Sequence, residues 1–278
     1  MPQIEPQALS SHKQNVQQWL QRCCLLDDEF LCKCFERNPQ LIQFILRIVL
    51  ERPDLQVQES FCQFSLQNLQ GRSVCFDILA ADTSGKQYNI EMQRDNSGAH
   101  VKRARYNSSL LDASLSVPGE QYHRLNEAYV IFITEKDPLH QGLPICHIER
   151  VITETGQPFQ DGSHIIYASA QYQDETPLGR LMHDLSCPDP EQMHYPFLAD
   201  NVRHFKQTQE GVRTMSGVFQ EFAQEVAREV TQDVTLKLKN EIALQLLEIA
   251  KLSYEEIATS TNLSIAEVQA LAAQREPA

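Results

Sequence analysis

The sequence lacks the segments that place a protein in a membrane or outside the cell. No apolar run reaches the roughly 20 residues that span a bilayer. The longest, near 41–50, is interrupted by Gln43 and Arg47. The N-terminus has neither the basic region nor the apolar core of a signal peptide. We therefore expect a cytoplasmic protein with no membrane partner.

The cysteines lack the spacing of a metal site. The eight cysteines include no Cys-x-x-Cys pair and no zinc-finger arrangement with histidine, and the histidines form no ligand pattern of their own. Reduced thiols in a reducing compartment are the simplest interpretation. A zinc enzyme or a thiol enzyme is therefore not expected.

An excess of positive charge is also missing. The chain has 24 Lys and Arg against 37 Asp and Glu, a net charge of −13. This balance argues against nonspecific adhesion to nucleic acid over the whole surface. Any contact with DNA must use a local basic patch. The length of 278 residues is enough for one large domain with an appendage.

The periodicity of the apolar residues predicts an α/β fold. Helices are expected over 27–50, with a break at Asn38-Pro39, over 97–115 and over 178–185, and the rest of 173–200 is interpreted as loops. Strands are expected at 56–64, 128–134, 144–152 and 164–170, besides a hairpin within 75–93. This order predicts a mixed central sheet flanked by helices.

The C-terminal part has a different character. Residues 212–252 are nearly free of Gly and Pro and predict a long helix, and 253–273 predict a small helix-turn-helix-like pair. The second helix of this pair carries Glu267 and Gln269 but no Lys or Arg, so a docking or homo-oligomerisation tail is favoured over DNA reading. We expect a polar tail at 1–24, a main domain at 25–215 and a helical tail at 216–278.

The hairpin contains two acids that face each other. Its turn lies at 82–85, and antiparallel reflection about Ser84 makes Asp77 and Glu91 cross-strand partners, with Cβ atoms roughly 4.5–5.5 Å apart. Alternation along the strand places Gln93 on the face of Glu91. The apolar residues of the hairpin are expected on the opposite face: Phe76, Ile78, Ile90 and Met92.

Two carboxylates this close repel each other unless a cation lies between them. Oxygen ligands suit a hard divalent cation, and such an ion activates water for phosphodiester hydrolysis. Asp77 and Glu91 are the candidate metal ligands, with the backbone carbonyl of Met92 as a third and with Gln93 positioning the water. The alternative is an exposed hairpin with one acid on each strand.

Basic residues follow the hairpin. Arg94 ends its second strand, and Lys102, Arg103 and Arg105 lie on the next helix, where they are candidates for binding DNA phosphates. The alternative for these side chains is a solvated helix face.

Several stretches together resemble a known family. The pattern D(x)13ExQ, in the order helix, strand, hairpin, helix, strand, is similar to the PD-(D/E)XK nuclease superfamily. More narrowly, residues 25–215 resemble the Rpn family of recombination-promoting nucleases, also described as transposases. The matching stretches are LDDEFLCKCFE (26–36), FDILAADTSGKQYNIEMQR (76–94), HVKRARYNSSLLDASL (100–115), YVIFITEKDPL (129–139) and DGSHIIYASAQY (161–172).

The resemblance implies a restriction-endonuclease-like core and a DNA endonuclease that uses Mg²⁺, with Mn²⁺ as an alternative. It implies that Asp77 and Glu91 bind the metal ion and that Gln93 takes the position of a lysine. A neutral amide cannot supply the positive charge of a lysine, so modest activity is expected. A catalytically weak or inactive nuclease-fold protein that acts as an interaction module is the alternative.

The resemblance also implies an additional acid on the first helix. Asp28, Glu29 and Glu36 are the candidates, and Asp28 is favoured. On the helix after the hairpin, Arg103 and Tyr106 lie about one turn apart and are both expected to face the site, although Tyr106 suits the core equally well.

Overall fold

The computed structural model describes residues 15–36, 38–68, 71–94, 96–116, 119, 121–249 and 252–273. The chain divides into two compact units, Met1–Gly217 and Val218–Ala278. Most of the predicted polar tail, residues 1–14, lies outside the described residues, and 15–22 form a helix, α1. The domain boundaries at 24/25 and 215/216 stay predictions.

The first unit is built on a six-stranded sheet in the order β1-β2-β3-β4-β8-β5, and β6 pairs with β7 in a separate ribbon. The strands are β1 (Val57–Leu66), β2 (Val74–Asp82), β3 (Gln87–Gln93), β4 (Ala128–Thr134), β5 (Ile145–Ile148), β6 (Val151–Ile152), β7 (Gln157–Pro158) and β8 (Ser163–Ser169).

Helices flank this sheet and form the second unit. They are α2 (Asp28–Phe35), α3 (Pro39–Val49), α4 (Val101–Leu115), α5 (Pro177–Ser186), α6 (Pro196–Gln207), α7 (Gln209–Ile249), α8 (Tyr254–Thr261) and α9 (Ile265–Ala273). The prediction of a loop at 196–200 was wrong: the segment begins α6, with Pro196 in the first turn, where a missing N–H costs no hydrogen bond.

The sheet is mixed, as predicted. β1, β2 and β3 are antiparallel, β3, β4 and β8 are parallel, and β5 returns antiparallel beside β8. The helix α4 makes the crossover that parallel strands need between β3 and β4. The α/β fold with helices around a mixed sheet, consistent with a restriction-endonuclease-like core, is therefore confirmed.

The hairpin of β2 and β3 has the predicted register. Ile78 pairs with Ile90 and Ala81 with Gln87, which is the reflection about Ser84. Asp82 fixes the turn, because its Oδ1 accepts hydrogen bonds from the backbone N–H groups of Ser84 and Lys86. The turn chemistry thus sets the register as far as the pair Ile78–Ile90, next to which Asp77 and Glu91 lie in sequence.

The alternation of side chains is interrupted next to Asp77. The neighbouring strand β1 pairs with β2 on both sides of this point, but no pair forms between Gln63 and Asp77, and Gln63 has a φ of 52°. A non-glycine residue in the left-handed region is strained. Phe76 packs in the same core cluster as Leu79 and Leu111 of α4. The alternation predicted Phe76 on the face opposite to Glu91, but Phe76 packs on the side of α4, whose Arg103 reaches Glu91.

The second unit contains the predicted pair of short helices. Ser253 and Glu256 form a capping box at the start of α8, and Asn262 ends it with a φ of 55°. Ala243 of α7 packs with Ile257 of α8 and Val268 of α9. Among the described residues, no helix combines the length and the apolar character needed to cross a membrane.

Candidate active site

Glu91 is the most deeply buried acid of the site. Its side chain has an exposed fraction of 0%, and both of its oxygens are engaged. Oε1 accepts a hydrogen bond from Asn89 Nδ2 at 2.8 Å, and Oε2 accepts one from Arg103 Nη2 at 2.7 Å. Burial raises the pKa of the Glu91 carboxyl, and these two partners oppose the rise. Because strand residues alternate, Asn89, Glu91 and Gln93 share one face of β3.

Asp77 lies on the neighbouring strand β2, and 6% of its surface is exposed. Its Oδ2 accepts a hydrogen bond from the backbone N–H of Met92 at 2.9 Å. Burial raises the pKa of the Asp77 carboxyl, and the negative charge of Glu91 raises it further. The electrostatic influence of Glu91 on Asp77 agrees with the predicted cross-strand arrangement.

Asp28, the first residue of α2, adds a third acid. The residue as a whole is exposed, but partial burial of its carboxyl and the charge of Asp77 raise its pKa to about 7. Of the other candidates on this helix, Glu36 pairs with Lys33 at 3.0 Å at the helix end. Asp28 is therefore the acid of α2 that interacts most clearly with Asp77.

The donor set fits a divalent cation. Three carboxyl groups influence each other here, and Arg103 is the cation that lowers the pKa values of all three. Hard cations such as Mg²⁺ prefer oxygen ligands and relieve a surplus of negative charge. Asp77 and Glu91 are the residues that would hold the ion, and the charge of Asp28 would add to its attraction.

Arg103 is held firmly beside the acids. Besides its bond to Glu91, its Nη1 donates to the carbonyl of Gly98 at 3.0 Å, and its guanidinium lies 5.9 Å from the centroid of the Phe132 ring. The turn 96–99 and the strand β4 thus fix the side chain from two sides. A cation–π contact and a charge-assisted hydrogen bond both favour this geometry.

Gln93 lies against the same turn. A Cβ atom at Gly98 would be 1.8 Å from Gln93 Oε1 and 3.4 Å from Arg103 Nη1. The lack of a side chain at Gly98 therefore makes room for the amide of Gln93 beside the guanidinium. Gln93, which is predicted to position water, and the guanidinium of Arg103 therefore both lie next to Gly98.

A groove of about 900 Å³ adjoins Arg103. Its lining includes three of the four basic residues singled out in the sequence, together with Arg72, which the sequence patterns do not mark. The basic residues that line it are Arg72, Lys102, Arg103 and Arg105. It is the local basic patch that a contact between an acidic protein and DNA requires.

Arg94 and Tyr106 have other partners. Arg94 Nη1 pairs with Asp27 at 2.6 Å and its Nε with Glu135 at 3.1 Å, and Arg94 does not line the groove. The hydroxyl of Tyr106 donates to the carbonyl of Arg72. Tyr106 therefore lines the groove and braces the connection between β1 and β2, while Arg103 reaches the acids.

Sequence reasoning missed two residues that shape the site. Asn89 is fully buried and bonds to Glu91, while its own Oδ1 has no partner. Asn89 lies two residues before Glu91, so the alternation of side chains along the strand could have placed it beside Glu91. Gly98 was expected to begin a helix, but it lies in the turn 96–99 before α4 and admits Gln93.

A second cluster of ionisable groups lies between α5 and α6. The potential ligand atoms of His183, Asp184 and His194 lie within 4.8 Å of one another. The Asp184 carboxylate, however, accepts backbone hydrogen bonds from His194 and Tyr195, both at 2.7 Å. Through these bonds Asp184 holds the backbone at the start of α6, which accounts for its burial without a metal ion.

Residues 36–171 match the family model described as "PD-(D/E)XK nuclease family transposase", which spans the sheet from β1 to β8 and includes Asp77, Glu91 and Gln93 but begins after Asp28. No curated protein and no solved structure matches the chain.

Proposed function

We propose that this protein is a Mg²⁺-dependent DNA endonuclease, because residues 36–171 match the model of the PD-(D/E)XK nuclease family transposases. Mn²⁺ is the alternative ion, and recombination or transposition-like events are the proposed context. The observation that carries the proposal is the burial of Asp77 and Glu91 side by side with raised pKa values, next to a groove lined by cations.

Each residue has a proposed role. Asp77 and Glu91 hold the ion, with the backbone carbonyl of Met92 as a further oxygen ligand, and Asp28 adds negative charge. A bound Mg²⁺ lowers the pKa of water and offsets charge on the phosphate. The amide of Gln93 positions the attacking water by hydrogen bonding.

DNA is the proposed substrate, and the basic groove is its proposed binding surface. Lys102 and Arg105 are exposed there and are free to meet phosphates. Arg103 lies between them and the acids and is therefore suited to the phosphate nearest the ion. Arg94 is proposed to join them only if its bonds to Asp27 and Glu135 open.

Plasmid nicking tests the proposal. Wild-type protein with Mg²⁺ is expected to nick supercoiled DNA, and EDTA is expected to stop it. Asp77→Asn keeps an acceptor for the Met92 N–H but removes the charge, so nicking is expected to fall by about 100-fold or more, about 2.7 kcal/mol of activation free energy.

The matched control is Glu149→Gln. Glu149 pairs with His164 near the start of β8. Gln93 and Thr134 lie at the opposite end of the parallel strands. Glu149→Gln is expected to nick like the wild type. Equal nicking by wild type and Asp77→Asn would refute the assigned site.

A second candidate function is a nuclease-fold interaction module. It is favoured by Gln93, which cannot supply the charge of the lysine that the superfamily pattern has. Calorimetry separates the two functions. An intact fold that binds neither Mg²⁺ nor Mn²⁺ would support the interaction module, whereas binding that is lost in Asp77→Asn would support the nuclease.

We further propose that the C-terminal unit mediates homo-oligomerisation. Val234, Leu238 and Ile242 recur every four residues on α7 and are 58%, 55% and 40% exposed. Such a row on one helix suits packing against a second copy. In the full-length chain, Val234→Lys with Leu238→Lys is expected to reduce the mass measured by light scattering. An unchanged mass would count against this role.

A further inference from the structure

Arg103 lies where the buried acids meet the basic groove. Its Nη2 is 2.7 Å from Glu91 Oε2, and the residue also lines the groove with Lys102 and Arg105. The side chain of Arg103 is 38% exposed, whereas that of Glu91 is 0% exposed. Arg103 therefore faces a carboxylate on one side and the solvent from which a phosphate would arrive on the other.

Each oxygen of Glu91 already has a hydrogen-bond partner while this contact is made. Oε1 is bonded to Asn89, and Oε2 is bonded to Arg103. A divalent cation that binds Glu91 meets the positive charge of the guanidinium at short range, and like charges repel strongly where water is excluded. Arg103 and the ion therefore compete for Glu91.

A phosphate in the groove would offer Arg103 another partner. Guanidinium groups bind phosphate through paired, charge-assisted hydrogen bonds of the same kind as those to a carboxylate. Since Gln93 is neutral, Arg103 is also the side chain that brings positive charge to this part of the site.

We propose that Arg103 exchanges partners, from Glu91 to a substrate phosphate, so that DNA and the divalent cation bind cooperatively. This inference rests on the proposed function, because it takes Glu91 as a metal ligand. Without DNA, Arg103 occupies Glu91 and weakens cation binding. With DNA, it moves to the phosphate, frees Glu91 and places its charge on the substrate.

The exchange predicts an effect opposite to that of a structural ion pair. If Arg103 only supported Glu91, its removal would disorder the carboxylate and weaken cation binding. If Arg103 competes with the cation, its removal tightens cation binding in the absence of DNA. The direction of the change therefore distinguishes the two roles. Cooperativity alone does not, because a phosphate can also coordinate the ion directly.

Calorimetry on the full-length chain measures both quantities. The probe is Ca²⁺, titrated with and without a saturating short DNA duplex. In the wild type we expect DNA to tighten Ca²⁺ binding by a factor within the usual range of coupling, about 5- to 150-fold. Arg103→Met keeps an unbranched apolar side chain beside Phe132 and is expected to tighten Ca²⁺ binding without DNA by about tenfold. It is also expected to reduce the coupling factor.

The control is Lys102→Met, which removes a neighbouring charge from the groove but not from Glu91. It is expected to weaken DNA binding while leaving the Ca²⁺ affinity without DNA unchanged. If circular dichroism shows that Arg103→Met does not fold, Arg103→Lys replaces it. The shorter Lys has a weaker hold on Glu91 and is expected to tighten Ca²⁺ binding by a smaller factor.

The outcomes separate this inference from the proposed function. If Asp77→Asn abolishes Ca²⁺ binding but the Arg103 variant binds Ca²⁺ no tighter than wild type without DNA, the exchange is overturned and the metal site stands. If wild type binds no Ca²⁺, or Asp77→Asn binds it equally well, both are overturned.

Discussion

Asp77 and Asp184 are both buried aspartates of the first unit, but their neighbours differ. Asp184 is fully buried and accepts two backbone N–H groups at 2.7 Å, with His183 Nδ1 at 3.0 Å. Asp77 accepts one backbone N–H and lies under the influence of Glu91 and Asp28. Burial of a charge is tolerated when hydrogen bonds compensate it. The surplus of negative charge around Asp77 is what a divalent cation would neutralise.

The largest expected effect is on stability and comes from Asp184. An amide in Asp184→Asn cannot accept with both terminal atoms, so a backbone N–H of His194 or Tyr195 loses its partner inside the protein. We expect the free energy of unfolding to fall by about 3 kcal/mol, from a lost charge-assisted bond and an unsatisfied donor. Urea denaturation measures it. A change below about 1 kcal/mol would mean that Asp184 does not clamp α6.

The next effect comes from the ion. Mg²⁺ at 100 times its Kd is expected to stabilise wild-type protein by about 2.7 kcal/mol through binding to the folded state alone. The midpoint of thermal unfolding should rise with the Mg²⁺ concentration for wild type and for Glu149→Gln. It should not rise for Asp77→Asn. An equal rise in Asp77→Asn would place the ion elsewhere, and the cluster around Asp184 would then be the first place to look.

A third effect concerns Asp77→Asn in the absence of the ion. We expect this substitution to raise the free energy of unfolding, whereas Asp184→Asn lowers it. In EDTA, Asp77→Asn removes a carboxyl whose pKa is raised in the folded protein. Such a group is protonated in the folded state while the unfolded chain releases the proton. The contribution of the Asp77 carboxyl to the free energy of unfolding is therefore fully present below its ordinary pKa of 3.8. This contribution is lost as the pH rises through the raised pKa of the folded protein.

Asp77→Asn, which does not titrate, should thus match wild type near pH 4 and exceed it at pH 8 by about 1–3 kcal/mol, a rise of several degrees in Tm. Thermal melts at the two pH values measure the difference. If Asp77→Asn were less stable at pH 8, like Asp184→Asn, the distinction between the two aspartates would fail.

The comparison also shows what the sequence can predict. Local patterns determined the turn at Asp82 and the register from Ile78 to Ile90, because turn geometry and a period of two are local properties. The same reasoning placed Asp77 opposite Glu91. The amide of Asn89 beside Glu91 follows from that alternation as well.

The remaining features depend on contacts between distant segments. Helical spacing put Arg103 on the face toward the site, but its bond to Glu91 forms only because the turn 96–99 and α4 fold back over β3. The left-handed conformation of Gln63 interrupts an otherwise regular strand. The start of α6 was interpreted as a loop because its composition suits loops, whereas Asp184 holds it from another element.

The smallest expected effect tests the charge at the site. Gln93→Lys restores the residue of the superfamily pattern, and its matched control is Gln87→Lys at the other end of β3. The gain in nicking should be only several-fold, because Arg103 already brings positive charge and repels the new ammonium group. In an Arg103→Met background the repulsion is gone, so the same substitution should raise nicking by a larger factor. If Gln93→Lys lowered nicking in both backgrounds, the amide itself would be required. Gln93 would then act by hydrogen bonding to water, and a lysine could not replace it.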